Sequence, residues 1–173
     1  MSGAVAATLA SLSTGDRGYF VAVLGGIFEH SRWVAEVAWA ARPFASIDAL
    51  HAAMVEAVRA ASQTQQLALV RAHPELAGKE AAAGTLTHDS ETEQASAGIN
   101  HCTAAELGRL RELNHAYREK FGFPFVMAVK HRSRSEILAA IASRVGNTRE
   151  QEFAACLTEI GKIGRLRLDA LLS

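Results

Sequence analysis

Four times in its second half the chain places a serine or threonine three residues ahead of a glutamate or glutamine: Ser90 and Glu93, Thr103 and Glu106, Ser133 and Glu136, Thr148 and Gln151. In such a pair each side chain satisfies an amide donor that the first helical turn leaves orphaned, so each marks a helix start. Alanine fills about one position in five, aromatics make up 6%, and there are only three prolines, a balance that favours helix over sheet. The class predicted is all-α. Helices are placed at 17–29, 32–42, 47–61, 64–72, 91–99, 104–120, 134–145 and 149–172, about eight in all, with Gly146 as the stop of the seventh. Pro43, Pro74 and Pro124 fall at breaks, where a missing amide hydrogen ends a helix. No Ser/Gly linker or internal repeat divides the 173 residues, so residues 1–173 read as one helical-bundle domain long enough for a proper core.

Charge and composition exclude several classes. Eighteen Lys and Arg balance eighteen Asp and Glu with no dense basic block, which offers a phosphate backbone no general attraction and argues against nucleic acid. No apolar run approaches the roughly 18 residues that a membrane span needs. Cys102 and Cys156 lie far apart, outside any C-x-x-C, so neither a disulfide framework nor a thiolate zinc site is expected. Met1–Ser13 is Ala-rich, but the first positive charge is Arg17, so it reads as mature chain and not as a secretory signal. The cytoplasm is the expected location.

The stretch from Phe121 through Gly122, Phe123, Pro124, Phe125 and Val126 to Met127 is too apolar for a surface loop, and a proline interrupts it. It reads as a buried extended segment near 121–128. Buried non-helical backbone needs hydrogen-bond partners, and either a core that absorbs the aromatics or a bound polar ligand can account for it.

In the last helix, at 100° per residue, Phe153, Cys156, Leu157, Ile160, Ile163, Gly164, Leu168 and Leu171 form one apolar stripe, and Arg167 falls inside it. A guanidinium there stays charged, so it needs either a carboxylate of this protein or an anionic ligand, or else a stem that packs inward with its head in solvent. If poorly paired, its removal would tighten the unliganded fold. Arg165 points off the stripe.

His73 precedes Pro74 and is expected to cap the helical turn that Pro74 opens, where the positive end of the dipole favours neutral imidazole suited to acid–base work. A plain capping or surface histidine is the alternative. Ser90, Glu93 and Gln94 form a capping box that could also recognise a polar heterocycle. The remaining histidines show no H-x-x-x-H or H-E-x-x-H spacing, so no metal site is expected. His88-Asp89 with His73 and Asp169 loosely echoes an HD-type metal phosphohydrolase, but the pair sits in a turn-like context where that pattern needs a helix.

Taken in order, Trp39-Ala40-Ala41-Arg42-Pro43-Phe44, Arg71-Ala72-His73-Pro74-Glu75-Leu76-Ala77-Gly78, Gly84-Thr85-Leu86-Thr87, Ser90, Glu93-Gln94, Ala97-Gly98, Leu113-Asn114, Tyr117, Phe121-Gly122-Phe123-Pro124-Phe125-Val126 and Leu166-Arg167-Leu168 resemble the 2-oxo-4-hydroxy-4-carboxy-5-ureidoimidazoline (OHCU) decarboxylases. These enzymes make (S)-allantoin at the end of urate breakdown. The resemblance covers about residues 15 to 172, with Glu75 where the family often has Asp and Ile99 where it often has Leu. It implies an all-α, usually dimeric enzyme without metal or organic cofactor. It also implies catalytic roles for His73, Glu93 and Arg167, and substrate contacts at Pro74, Ser90, Gln94 and, largely through main chain, at Phe125, Val126, Met127, Ala128 and Val129. A non-catalytic helical module that binds an acidic small molecule through Arg167 is the second class that the residues allow.

Overall fold

The computed structural model describes residues 6–173; residues 1–5, part of the stretch read above as mature chain, lie outside it. Among the described residues there are ten α-helices, two 3-10 turns and no strand, so the all-α class holds. They divide into two compact units, one of residues 6–72 and 161–173 and the other of residues 73–160.

The first unit contains α1 (Leu9–Thr14), α2 (Arg17–Leu24), α3 (Trp33–Ala38), a 3-10 turn at Trp39–Ala41, α4 (Ile47–Ala60), α5 (Gln63–Ala72) and the last part of α10 (Arg149–Leu172). Asp16 and Ser46 accept the amides of Tyr19 and Ala49 and start α2 and α4. The predicted helix 17–29 ends at Leu24, because Gly25 and Gly26 interrupt it and leave Ile27–His30 as a turn. α1 was not predicted. It begins on Thr8 and Ser11, a reciprocal cap in which serine stands where the usual signal has Glu or Gln. Leu12, Phe20, Val34, Leu50, Met54, Leu69, Val70 and Leu168 are fully buried here, and Phe20 packs against the rings of Trp39 and Phe44.

The second unit contains α6 (Lys79–Ala83), α7 (His88–Ser96), a 3-10 turn at Ile99–His101, α8 (Ala104–Phe121), α9 (Arg134–Arg144) and the first part of α10. The boxes at Thr103 and Ser133 are present as read, and Thr148 with Gln151 exchanges the same bonds at the head of α10. α6, only five residues long, was missed.

The helix predicted at 91–99 starts three residues earlier, because its cap is Thr87 and not Ser90: Thr87 accepts the Ser90 amide at 3.3 Å, which puts Ser90 inside the first turn. A box at Ser90 is therefore wrong. Its Thr-x-x-Ser spacing hid the true cap behind a better-looking one.

Gly122 closes α8 in the left-handed conformation, φ 77°, and the chain then runs without helix to Val129. Phe123, Phe125, Val126 and Val129 are buried, so the extended apolar segment is there, starting just after Phe121. Its rings gather on Tyr117, which lies 4.5 Å from Phe121, 6.1 Å from Phe123 and 5.5 Å from Phe125, centroid to centroid. Tilted and edge-on pairs of this kind add about 0.5–1.5 kcal/mol each beyond the area they bury.

Candidate active site

His73 is 6% exposed, but Pro74 opens no helix. The chain runs without helix from Pro74 to Gly78, with a turn at Leu76 and Ala77, before α6 begins at Lys79, so the expected helix dipole has no helix to come from. What shapes this segment is a set of buried amides. Gln94 on α7, 6% exposed, accepts the Ala77 amide at 3.0 Å and donates to the Glu75 carbonyl at 3.4 Å. Asn114 on α8 donates to the Leu76 carbonyl at 2.9 Å.

Ala77 sits at φ 51°, a left-handed conformation that costs an alanine about 1 kcal/mol and persists only where its surroundings impose it. The bond to Gln94 is made by the amide of that same residue. Two amide side chains thus hold two consecutive peptide groups, 75–76 and 76–77, in the turn that follows His73.

Ser90, 4% exposed, and Gln94 lie one turn apart on α7, and Glu93 between them is half-buried. His73, Ser90 and Glu93 all carry polar interactions of their own. His73 and Ser90 are thus buried polar groups with partners, as buried polar groups require. His88 and Asp89, read as lying in a turn, instead form the first turn of α7. Among the described residues no group of three or more His, Cys, Asp or Glu side chains is placed to hold a metal.

Two peptide groups of the segment 122–129 bond to the protein's own side chains. Arg144 Nη1 donates to the Val126 carbonyl at 2.9 Å, and its guanidinium stacks 4.5 Å from the Phe125 ring. The Ala128 amide donates to Glu159 at 2.9 Å. Behind Arg144 is a charge that the sequence reading missed, Glu152, which is fully buried. Its carboxylate accepts from Tyr117 at 2.6 Å, Arg144 Nε at 2.8 Å and Asn147 at 2.8 Å. With every partner in place a buried carboxylate is tolerable; with one removed it is not. Burial, and after it the neighbouring Cys156 and Glu152, pushes the Tyr117 hydroxyl far above its ordinary range. Burial likewise raises the Cys156 thiol. Both stay protonated, so neither adds a charge beside the Arg144–Glu152 ion pair. The signal was available: Glu152 stands one turn before Cys156 on the α10 stripe, where a carboxylate is as anomalous as Arg167.

In the first unit Arg167 is 6% exposed, as its place on the stripe required. Of the partners considered, a carboxylate of the protein is present: Nη1 lies 2.8 Å from Glu29 Oε2 and 3.4 Å from the Ile27 carbonyl, and Glu29 is itself 2% exposed. The pair is well formed, so the premise of a poorly paired charge does not hold, and removing Arg167 is expected to loosen the fold. Glu29 was missed because it was assigned to a helix that stops at Leu24. Arg165, off the stripe, pairs with Asp48 and Asp169 at the surface.

A model of the family described as OHCU decarboxylase matches residues 13–169. The chain is 42% identical over 164 residues to a 2-oxo-4-hydroxy-4-carboxy-5-ureidoimidazoline decarboxylase of Halalkalicoccus jeotgali, a match covering 95% of this chain and 91% of that one. It is 44% identical over 161 residues to the protein of the same name from Haloferax volcanii, covering 93% and 94%. Among solved structures it is similar to an (S)-allantoin synthase, with TM-score 0.76 and 34% identity, over 96% of this chain and 54% of that one.

Proposed function

The chain belongs to the OHCU decarboxylase family, and on that premise we propose that it decarboxylates 2-oxo-4-hydroxy-4-carboxy-5-ureidoimidazoline to (S)-allantoin and CO2 in urate degradation. The observation that carries the reading is the family match over residues 13–169, which includes His73, Glu93 and Arg167.

The chemistry asks little of a cofactor. The departing carboxylate sits on a ring carbon that also bears a hydroxyl and adjoins a C=N bond, and this imine accepts the electron pair as CO2 leaves. What remains for the protein is to orient the substrate, balance its charge and move protons. Arg167 is assigned the anionic or carbonyl oxygen of the substrate, which a guanidinium would anchor by charge-assisted hydrogen bonds. Glu93 and Gln94 fix the ring and ureido edges, Ser90 adds one more polar contact, Pro74 also contacts the substrate, and Phe125, Val126, Met127, Ala128 and Val129 add contacts largely through main chain. Gln94 serves in addition as the clamp on the His73 turn.

His73 and Glu93 share the two proton steps, removal of the hydroxyl proton and delivery of a proton to one face of the new carbon centre. Delivery to one face makes one enantiomer. A homodimer in the cytoplasm is the working picture of the whole protein, and no described helix is long and apolar enough to cross a membrane.

The test generates the substrate from urate with urate oxidase and hydroxyisourate hydrolase and follows circular dichroism as allantoin appears. Wild type is expected to give a single enantiomer quickly, and His73→Ala, folded, to be slower by roughly 10²–10⁴-fold, the usual worth of a positioned acid–base group. Racemic product at the uncatalysed rate from wild type would overturn the reading in favour of a binding module.

A further inference from the structure

The second unit holds a cleft of about 290 Å³ in which none of the positions assigned to catalysis or substrate appears. One wall is a face of α8: Arg111, Asn114, His115 and Arg118 follow at the i, i+3, i+4, i+7 spacing that brings them to one side. Opposite them stand Lys79, at the start of α6, and Glu75. The charges do not cancel. Arg118 and Glu75 neutralise one another as an ion pair, whereas Lys79 and Arg111, both exposed, have no acidic partner among the described residues. The cleft therefore carries two uncompensated cations, with His115 beside them.

Asn114 supplies the second observation. It is 4% exposed, and its orientation is fixed because Nδ2 donates to the Leu76 carbonyl at 2.9 Å. Its Oδ1 is consequently the acceptor, and it is buried with no donor among the described residues. A buried acceptor left this way costs about 1–3 kcal/mol, so a group that brings it a hydrogen is favoured. Two cations call for an anion, and an orphan acceptor calls for a donor.

We infer that this cleft binds a small oxyanion that still carries a proton, hydrogen phosphate being the simplest. Its charged oxygens face Arg111 and Lys79, and its O–H donates to Asn114. Sulfate has the same shape and charge class but carries no proton at neutral pH, so it meets the acceptor lone pair with its own. A site built only of cations would treat the two alike.

The experiment titrates the full chain with inorganic phosphate and, separately, with sulfate at pH 7 and constant ionic strength, by calorimetry and by amide NMR shifts. Phosphate is expected to bind, with shifts centred on Ala77, Gly78 and Lys79, and sulfate to bind at least tenfold more weakly. Arg111→Ala, an exposed position with no structural bond, is expected to weaken phosphate at least tenfold while far-UV circular dichroism stays unchanged. Equal affinity for the two anions, indifference to Arg111→Ala, or shifts centred elsewhere would each overturn the inference. All of these readouts are independent of turnover.

Discussion

Two arginines two positions apart on α10 show how much a single residue's surroundings matter. Arg167 and Glu29 are both almost wholly buried and joined at 2.8 Å, so removing one leaves the other as an unpaired charge in a dry interior. Arg167→Ala is expected to destabilise the protein by about 3–5 kcal/mol, and Arg165→Ala, whose partners Asp48 and Asp169 are surface carboxylates, by no more than about 1 kcal/mol. Urea unfolding of both variants checks this, and equal losses would refute the difference in burial. The helical phase of Arg167 was legible because counting at 100° per residue needs no tertiary information. Its partner was not legible, since 138 residues separate the two and nothing local marks Glu29.

For single elements, helix starts were read well wherever the reciprocal Ser/Thr and Glu/Gln pair stood alone, as at Thr103 and Ser133. At α7 two candidates competed three residues apart, and the cap fell to Thr87. Thr87→Ala should therefore cost about 1 kcal/mol through the lost cap, measured as a lower urea midpoint with an unchanged slope. No loss would return the helix start to Ser90. The catalytic candidates on α7 depend on this shift, because with Thr87 as cap Ser90 enters the helix and is buried one turn from Gln94, instead of fraying at its end. The His73 turn shows the opposite limit. Its conformation comes from Gln94 and Asn114, 17 and 38 residues away from the peptide groups they hold, and not from Pro74.

At the scale of the whole molecule, two glycines of α10 separate the effects of space and propensity. A Cβ at Gly164 would lie 2.9 Å from the ring of Phe28, whereas one at Gly161 would meet Val55 at an ordinary 3.7 Å. Gly161→Ala is expected to raise stability by about 0.5–1 kcal/mol through helix propensity, and Gly164→Ala to lower it by about 1–3 kcal/mol through overpacking. Opposite shifts in Tm would bear this out; shifts of the same sign would mean that Phe28 yields.

The sequence by itself determined the helical class, most helix starts, the buried apolar segment after Phe121 and the inward phase of Arg167, because periodicity and capping are local properties. Only the tertiary structure decided that Arg167 is answered by Glu29, that Glu152 is buried among Tyr117, Arg144 and Asn147, and that Asn114 bonds the Leu76 carbonyl. The reason is physical: a buried polar group must find its complement wherever the folded chain brings one, and sequence distance says nothing about where that is.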